Sequence, residues 1–143
     1  MNESRGLGTD WIILADHAEV LNGKLYVMGG GWETLTANRP LPFEQPCAIA
    51  MAISVPWNET NQQHHIEVEI VDQETGNSLF RYEAEVEVGK PAGIPLGQAQ
   101  RVQVAANLGL RFEKFGPHVV IVKIGGQEDC RTTFNVVRGP GLA

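Results

Sequence analysis

"HHIEVEIVDQETGNSLFRYEAEVEV", residues 64–88, is the stretch whose reading decides the fold class. Apolar and polar residues alternate with a period of two through both halves, the pattern of half-buried strands. Ile66, Val68 and Ile70 take one face of the first half; His65, Glu67 and Glu69 take the other. In the second half Phe80, Tyr82, Ala84, Val86 and Val88 oppose Arg81, Glu83, Glu85 and Glu87. Thr75-Gly76-Asn77 between them is turn chemistry, so the stretch reads as a hairpin of strands 64–72 and 79–88. Pairing Ser78 with Asp72 sets Glu69 opposite Arg81 and His65 opposite Glu85, which relieves part of the like-charge repulsion. Glu67, Glu69, Glu83, Glu85 and Glu87 are then expected on one solvent face.

The same period runs outward from this hairpin. "CAIAMAISV" (47–55) alternates large with small, setting Cys47, Ile49, Met51, Ile53 and Val55 against Ala48, Ala50, Ala52 and Ser54. A strand covered on both faces has this form, with the alanines under a closely approaching layer. Further strands read at 11–20, at 24–36 through the glycines, and at 100–108, 118–125 and 129–137. Residues 98–110 are the one segment with helical character, but Val102, Val104, Ala106 and Leu108 alternate and favour a strand. Asn22-Gly23 is the strongest hairpin turn, because a type I′ turn needs positive φ at both positions. The expected fold is all-β: a single antiparallel β-sandwich of about eight strands over residues 1–143, immunoglobulin-like in architecture. Residues 1–9 and 138–143 are expected to be flexible.

A chain of 143 residues, 43% hydrophobic and 20% charged, is long enough to bury one real core. Its formal charge of −6 and isoelectric point near 5.1 argue against nucleic acid and against anionic membrane surfaces as partners. The opening "MNESRGLGTD" has no basic region followed by an apolar one, so no signal peptide is expected. The longest apolar run is far short of the roughly 18 residues of a membrane span. The expected location is the cytoplasm, or the interior of a virion-like particle. Cys47 and Cys130 are then expected as free thiols, in a spacing that offers no paired zinc ligands.

"GGGW" (29–32) has the look of a phosphate loop but not the context. A dinucleotide fingerprint needs a further glycine where Thr34 stands, and a Walker loop needs Gly-Lys-Ser/Thr opening a helix. Glycine within a strand marks a bend or a close backbone approach instead. The longer stretch "ILADHAEVLNGKLYVMGGGW" (13–32) resembles the amino-terminal signature of an uncharacterised bacterial and bacteriophage family, a domain of unknown function. The shared pattern is an apolar run, an Asp, an Ala, Gly-Lys-Leu, and a glycine run with Trp. The resemblance implies a β-sandwich and no activity.

The remaining candidates are weak in chemistry. Asp16 shares strand parity with Ile12 and Leu14 and is expected to point inward, bonded rather than catalytic. His64 and His65 are adjacent on a strand, point to opposite faces and cannot share one ion. "DQETGN" (72–77) lacks the alternating ligands of a calcium loop. No Ser-His-Asp, Cys-His or paired-carboxylate arrangement stands out, so no enzyme activity, cofactor or metal is expected.

Two proline-containing loops, 38–46 and 89–97, carry the binding candidates. Ile94 and Leu96 are apolar residues in a loop with a single charge, the mark of a partner site at a loop tip. The other reading of that loop is that both fold back to plug the sandwich's end. Phe43 joins the same patch if the two loops share an end. Trp57 caps the sandwich edge or, with the amides of "NETNQQ" (58–63), stacks on a sugar. The expected function is therefore a non-enzymatic protein-interaction or assembly module, a component of a phage-like particle or a small homo-oligomer. The alternative is a carbohydrate-binding sandwich.

Overall fold

The computed structural model describes residues 6–141. Among them nine strands follow in order: β1 (Gly8–Leu21), β2 (Lys24–Gly30), β3 (Thr34–Ala37), β4 (Phe43–Val55), β5 (His64–Asp72), β6 (Ser78–Val86), β7 (Gln100–Phe112), β8 (Gly116–Ile124) and β9 (Gln127–Arg138). A single 3-10 turn, Trp57–Glu59, joins β4 to β5. One sheet has the order β2-β1-β4-β7, the other β3-β9-β8-β5-β6. The two pack face to face over one large apolar core, a sandwich-like arrangement.

The alternating hairpin forms in the expected register. His65 lies opposite Glu85 and Glu69 opposite Arg81. A one-residue shift after Ile70 then pairs Ser78 with Val71 rather than with Asp72. Ile66, Val68 and Ile70 are fully buried on the inner face. Residues 100–112 are strand, not helix, and pair with the whole of β4.

Two expectations about the second strand are corrected. Residues 24–36 do not form one strand: β2 ends at Gly30, and β3 begins at Thr34 in the opposite sheet. The glycine run is the crossover between sheets, and this brings the total to nine strands rather than eight. Nor is the sandwich wholly antiparallel, because β3 pairs parallel to β9. The chain enters the second sheet at its edge already running in the direction of β9, its last strand.

The alanines of β4 lie under a close layer, as their size pattern requires. Trp11, Ile13 and Ala15 stand opposite Ala52, Ala50 and Ala48 and share their face. The β1–β2 hairpin curls back over that face, so Ala15, Ala18, Ala48 and Ala50 form a second, small core with Leu25 and Val27. Strand alternation breaks at Asp16 and Gly29: Ala15 and Ala18 are both buried while Asp16 and His17 are exposed. Asp16 therefore does not point inward; it lies over Gly29, which has a φ of +61°. A Cβ at Gly30 would meet Val27 Cγ1 at 2.6 Å and Ile13 Cδ1 at 3.2 Å. The bend needs one glycine for backbone conformation and the next for space.

Side chains on β7 fasten the curled hairpin. Asn107 Nδ2 donates to the Ala18 carbonyl (2.6 Å) and Asn107 Oδ1 accepts from the Ala18 amide (3.1 Å). Ala18 has passed the end of the β1–β4 ladder, and one amide side chain replaces the missing strand partner. At the hairpin tip Asn22 and Gly23 have φ of 53° and 74°, as a type I′ turn demands. Gln103 Nε2 donates to the Gly23 carbonyl at 3.0 Å.

The termini expected to be flexible include strand residues. Gly8 pairs with Ser54 and Arg138 with Ala37, so both lie in ladders. Residues 1–5, 142 and 143 lie outside the described residues.

Candidate functional site

The end of the sandwich where β4 finishes and β7 begins is built from two connections. The β4–β5 link carries Trp57, and the β6–β7 link carries Ile94 and Leu96. Their bases are tied together. The Asn61 amide donates to the Val88 carbonyl (2.7 Å), and Gln100 Nε2 donates to the Gly89 carbonyl (2.6 Å). Lys90 Nζ sits 4.6 Å from the centre of the Trp57 ring, a cation–π contact. Beyond this root each proline starts a turn, with Ile94 N–H donating to Pro91 O and Gln98 N–H to Pro95 O. Ile94 is half-buried, whereas Leu96 is 86% exposed. Leu96 is not a plug.

Two proposed members of this surface sit differently. Phe43 is 6% exposed, and its ring lies 5.4 Å from that of Phe112 in the core. It occupies the first position of β4, and Trp57 follows the thirteenth. At the usual rise per strand residue the two are roughly 40 Å apart, so the 38–46 loop belongs to the opposite end. Trp57 is half-buried, with one ring face covered by Lys90. The neighbouring amide of Gln62 donates to Asn58 O within its own turn.

A second apolar feature was not singled out by the sequence pattern. Leu21, Tyr26 and Met28 of the curled hairpin are 51%, 50% and 68% exposed. Because β2 is a sheet edge, these residues border unpaired backbone.

A charged cluster lies on the outer face of the second sheet, next to the root of the loop. Glu67 is flanked by Glu83 on β6 and Lys123 on β8. His65 Nδ1 contacts Glu85 Oε2 at 2.5 Å and its Nε2 contacts Glu83 Oε1 at 3.0 Å. These carboxylates, first through the hydrogen bond that His65 donates to Glu85, raise the His65 pKa above its ordinary value. Arg81 reaches Glu67 Oε1 (3.0 Å) and Glu83 Oε2 (3.4 Å). Glu67 is not exposed as its parity suggests: neighbours on both sides leave it 8% exposed, and its Oε2 has no hydrogen-bond partner. His64, pointing inward, donates from Nε2 to the Glu59 carbonyl at 2.8 Å and takes no part. Alternation within one strand reveals which residues face out; it does not show which residues of two strands converge.

The glycine run borders a cleft of about 120 Å³ lined by Ile12, Leu14, Gly31, Trp32 and Thr132 among others. The Trp32 ring packs edge-on against Phe134 at 5.9 Å. Cys47 and Cys130 are free thiols, as expected.

A family model described as "Family of unknown function (DUF6941)" matches residues 10–137. No curated protein matches the chain. Among solved structures, the Pseudomonas fluorescens alkylpurine DNA glycosylase AlkC bound to DNA containing an abasic site analog is similar over 87% of this chain. The identity is 12%, the TM-score 0.37, and the match covers 30% of that protein's chain. The chain thus spans less than a third of that protein's length, and a likeness at this level carries no functional argument.

Proposed function

The chain belongs to the DUF6941 family, whose function is unknown, and we propose that it is a non-enzymatic assembly module that docks a second copy of itself through the β6–β7 loop. The observation that carries this reading is Leu96, 86% exposed on a loop whose root is held by three contacts. Pro91 and Pro95 restrict the unbound loop, so less freedom is lost on docking. A second copy is the simplest occupant because each chain carries two exposed apolar features, this loop and the β1–β2 hairpin. Each offers the other an apolar partner. The signature at 13–32 supports a phage-like particle as the setting, and two packed sheets support an immunoglobulin-like architecture in the loose sense. Sugar binding at Trp57 is the weaker reading, since Lys90 covers one ring face.

The double variant Ile94→Ser/Leu96→Ser tests the proposal. Self-association is expected to be lost while the melting temperature changes by no more than a few degrees. A large fall in melting temperature places the loop in the core instead. Unchanged association in the variant rejects the loop as the docking element.

A further inference from the structure

The outer-face cluster has a feature that ion pairing among its own members leaves incomplete. Glu67 and Glu83 stand directly opposite each other on β5 and β6, a like-charge pair that destabilises a ladder unless a cation joins it. Arg81 takes one oxygen from each, Oε1 of Glu67 and Oε2 of Glu83. The oxygens left over are Glu67 Oε2, which is buried without a partner, and Glu83 Oε1, which contacts His65 Nε2. An unpartnered carboxylate oxygen away from water is costly. One donor atom each from His65, Glu67 and Glu83 lies within 4.8 Å of the others, close enough to surround a single ion.

We propose that His65 Nε2, Glu67 and Glu83 are the ligands of one divalent transition-metal cation, with Zn²⁺ the best fit. One imidazole and two carboxylates form a mixed nitrogen–oxygen set, which suits zinc and its neighbours better than Mg²⁺ or Ca²⁺. Glu85 completes the arrangement as a positioning residue. It accepts a hydrogen bond from His65 Nδ1, which fixes the tautomer that presents Nε2 to the ion. Binding replaces the proton on Nε2, and that proton leaves to solvent. One imidazole nitrogen and two carboxylate oxygens would leave the remaining coordination to water. The surrounding charge favours a cation: Glu67, Glu69, Glu83 and Glu85 outnumber Arg81 on β6 and Lys123 on β8.

The test is calorimetric titration of the full chain with ZnCl₂, alongside the visible absorption of added CoCl₂. One ion per chain is expected, with a cobalt spectrum of nitrogen–oxygen ligation. His65→Ala and Glu83→Gln are expected to weaken binding at least tenfold. His65 is half-buried and Glu83 exposed, both outside the apolar core, and circular dichroism checks that the fold is kept. Glu85→Gln is expected to weaken binding by about tenfold through the lost orientation of His65, and His17→Ala on β1 to leave it unchanged. No uptake at millimolar zinc overturns the proposal, as does a loss of less than tenfold in His65→Ala or Glu83→Gln. Retained self-association in a zinc-blind His65→Ala protein separates this site from the docking loop.

Discussion

Gly29 and Gly30 divide between them the two readings of a glycine run in a strand, a bend and a close approach. Gly29, with its φ of +61°, makes the bend, while Gly30 is needed because Val27, Ile13 and Ala15 close around it. Gly30→Val is therefore expected to cost about 1–3 kcal/mol by overpacking, read as a lower urea midpoint at unchanged slope. Cys47 yields a second expectation at this scale. Burial, and then the Asp16 carboxylate, push its thiol up to about 11 from an ordinary value near 9. The folded chain thus keeps this proton at pH values where the unfolded chain has lost it. Its contribution to stability is complete below about pH 9 and is lost as pH rises toward 11, by about 2–3 kcal/mol. Urea unfolding of wild type and Cys47→Ala between pH 8 and 11 isolates that slope, which the variant should lack. The burial of Cys47 was legible in the large-small alternation of 47–55, not in the spacing of the cysteines.

At the scale of elements, the legible parts are those whose chemistry is local. The β5–β6 hairpin follows from period-two alternation and a turn, and the doubly covered β4 from its alanines. The curl of the β1–β2 hairpin, the sheet change after Gly30 and the parallel β3–β9 pair depend on what the segments meet later. The glycine run marks a bend, but nothing local shows that the chain changes sheet there. Asn107 is another such case: an exposed polar residue on β7 that serves as the missing strand for Ala18. Asn107→Ala leaves a buried backbone amide and carbonyl unpaired and is expected to cost about 1–3 kcal/mol. Faster hydrogen exchange confined to β1 and β2 around Ala18 is the specific sign. Exchange that rises evenly over the whole sheet would show that Asn107 is not the local fastener.

At the scale of the whole molecule, a covered interior contrasts with uncovered apolar side chains at the surface. Among the described residues both faces of β4 are buried, while the loop tip and the β1–β2 hairpin, with Val137 on β9, expose large apolar side chains. Which end of the sandwich each loop occupies was not readable from the sequence. Phe43 and Leu96 have similar settings in the chain, apolar residues among prolines, yet one fills the core and the other stands in solvent. Like-charged chains of −6 repel each other, so association through apolar contacts is expected to strengthen as salt screens that repulsion. Sedimentation of the wild-type chain over a range of concentrations, in low and moderate salt, tests the docking claim most directly. The expected result is a mass that climbs above the 15.6 kDa of a single chain, more so in salt, and returns to that value in Ile94→Ser/Leu96→Ser. A wild-type chain that stays at the single-chain mass at every concentration and salt would contradict it.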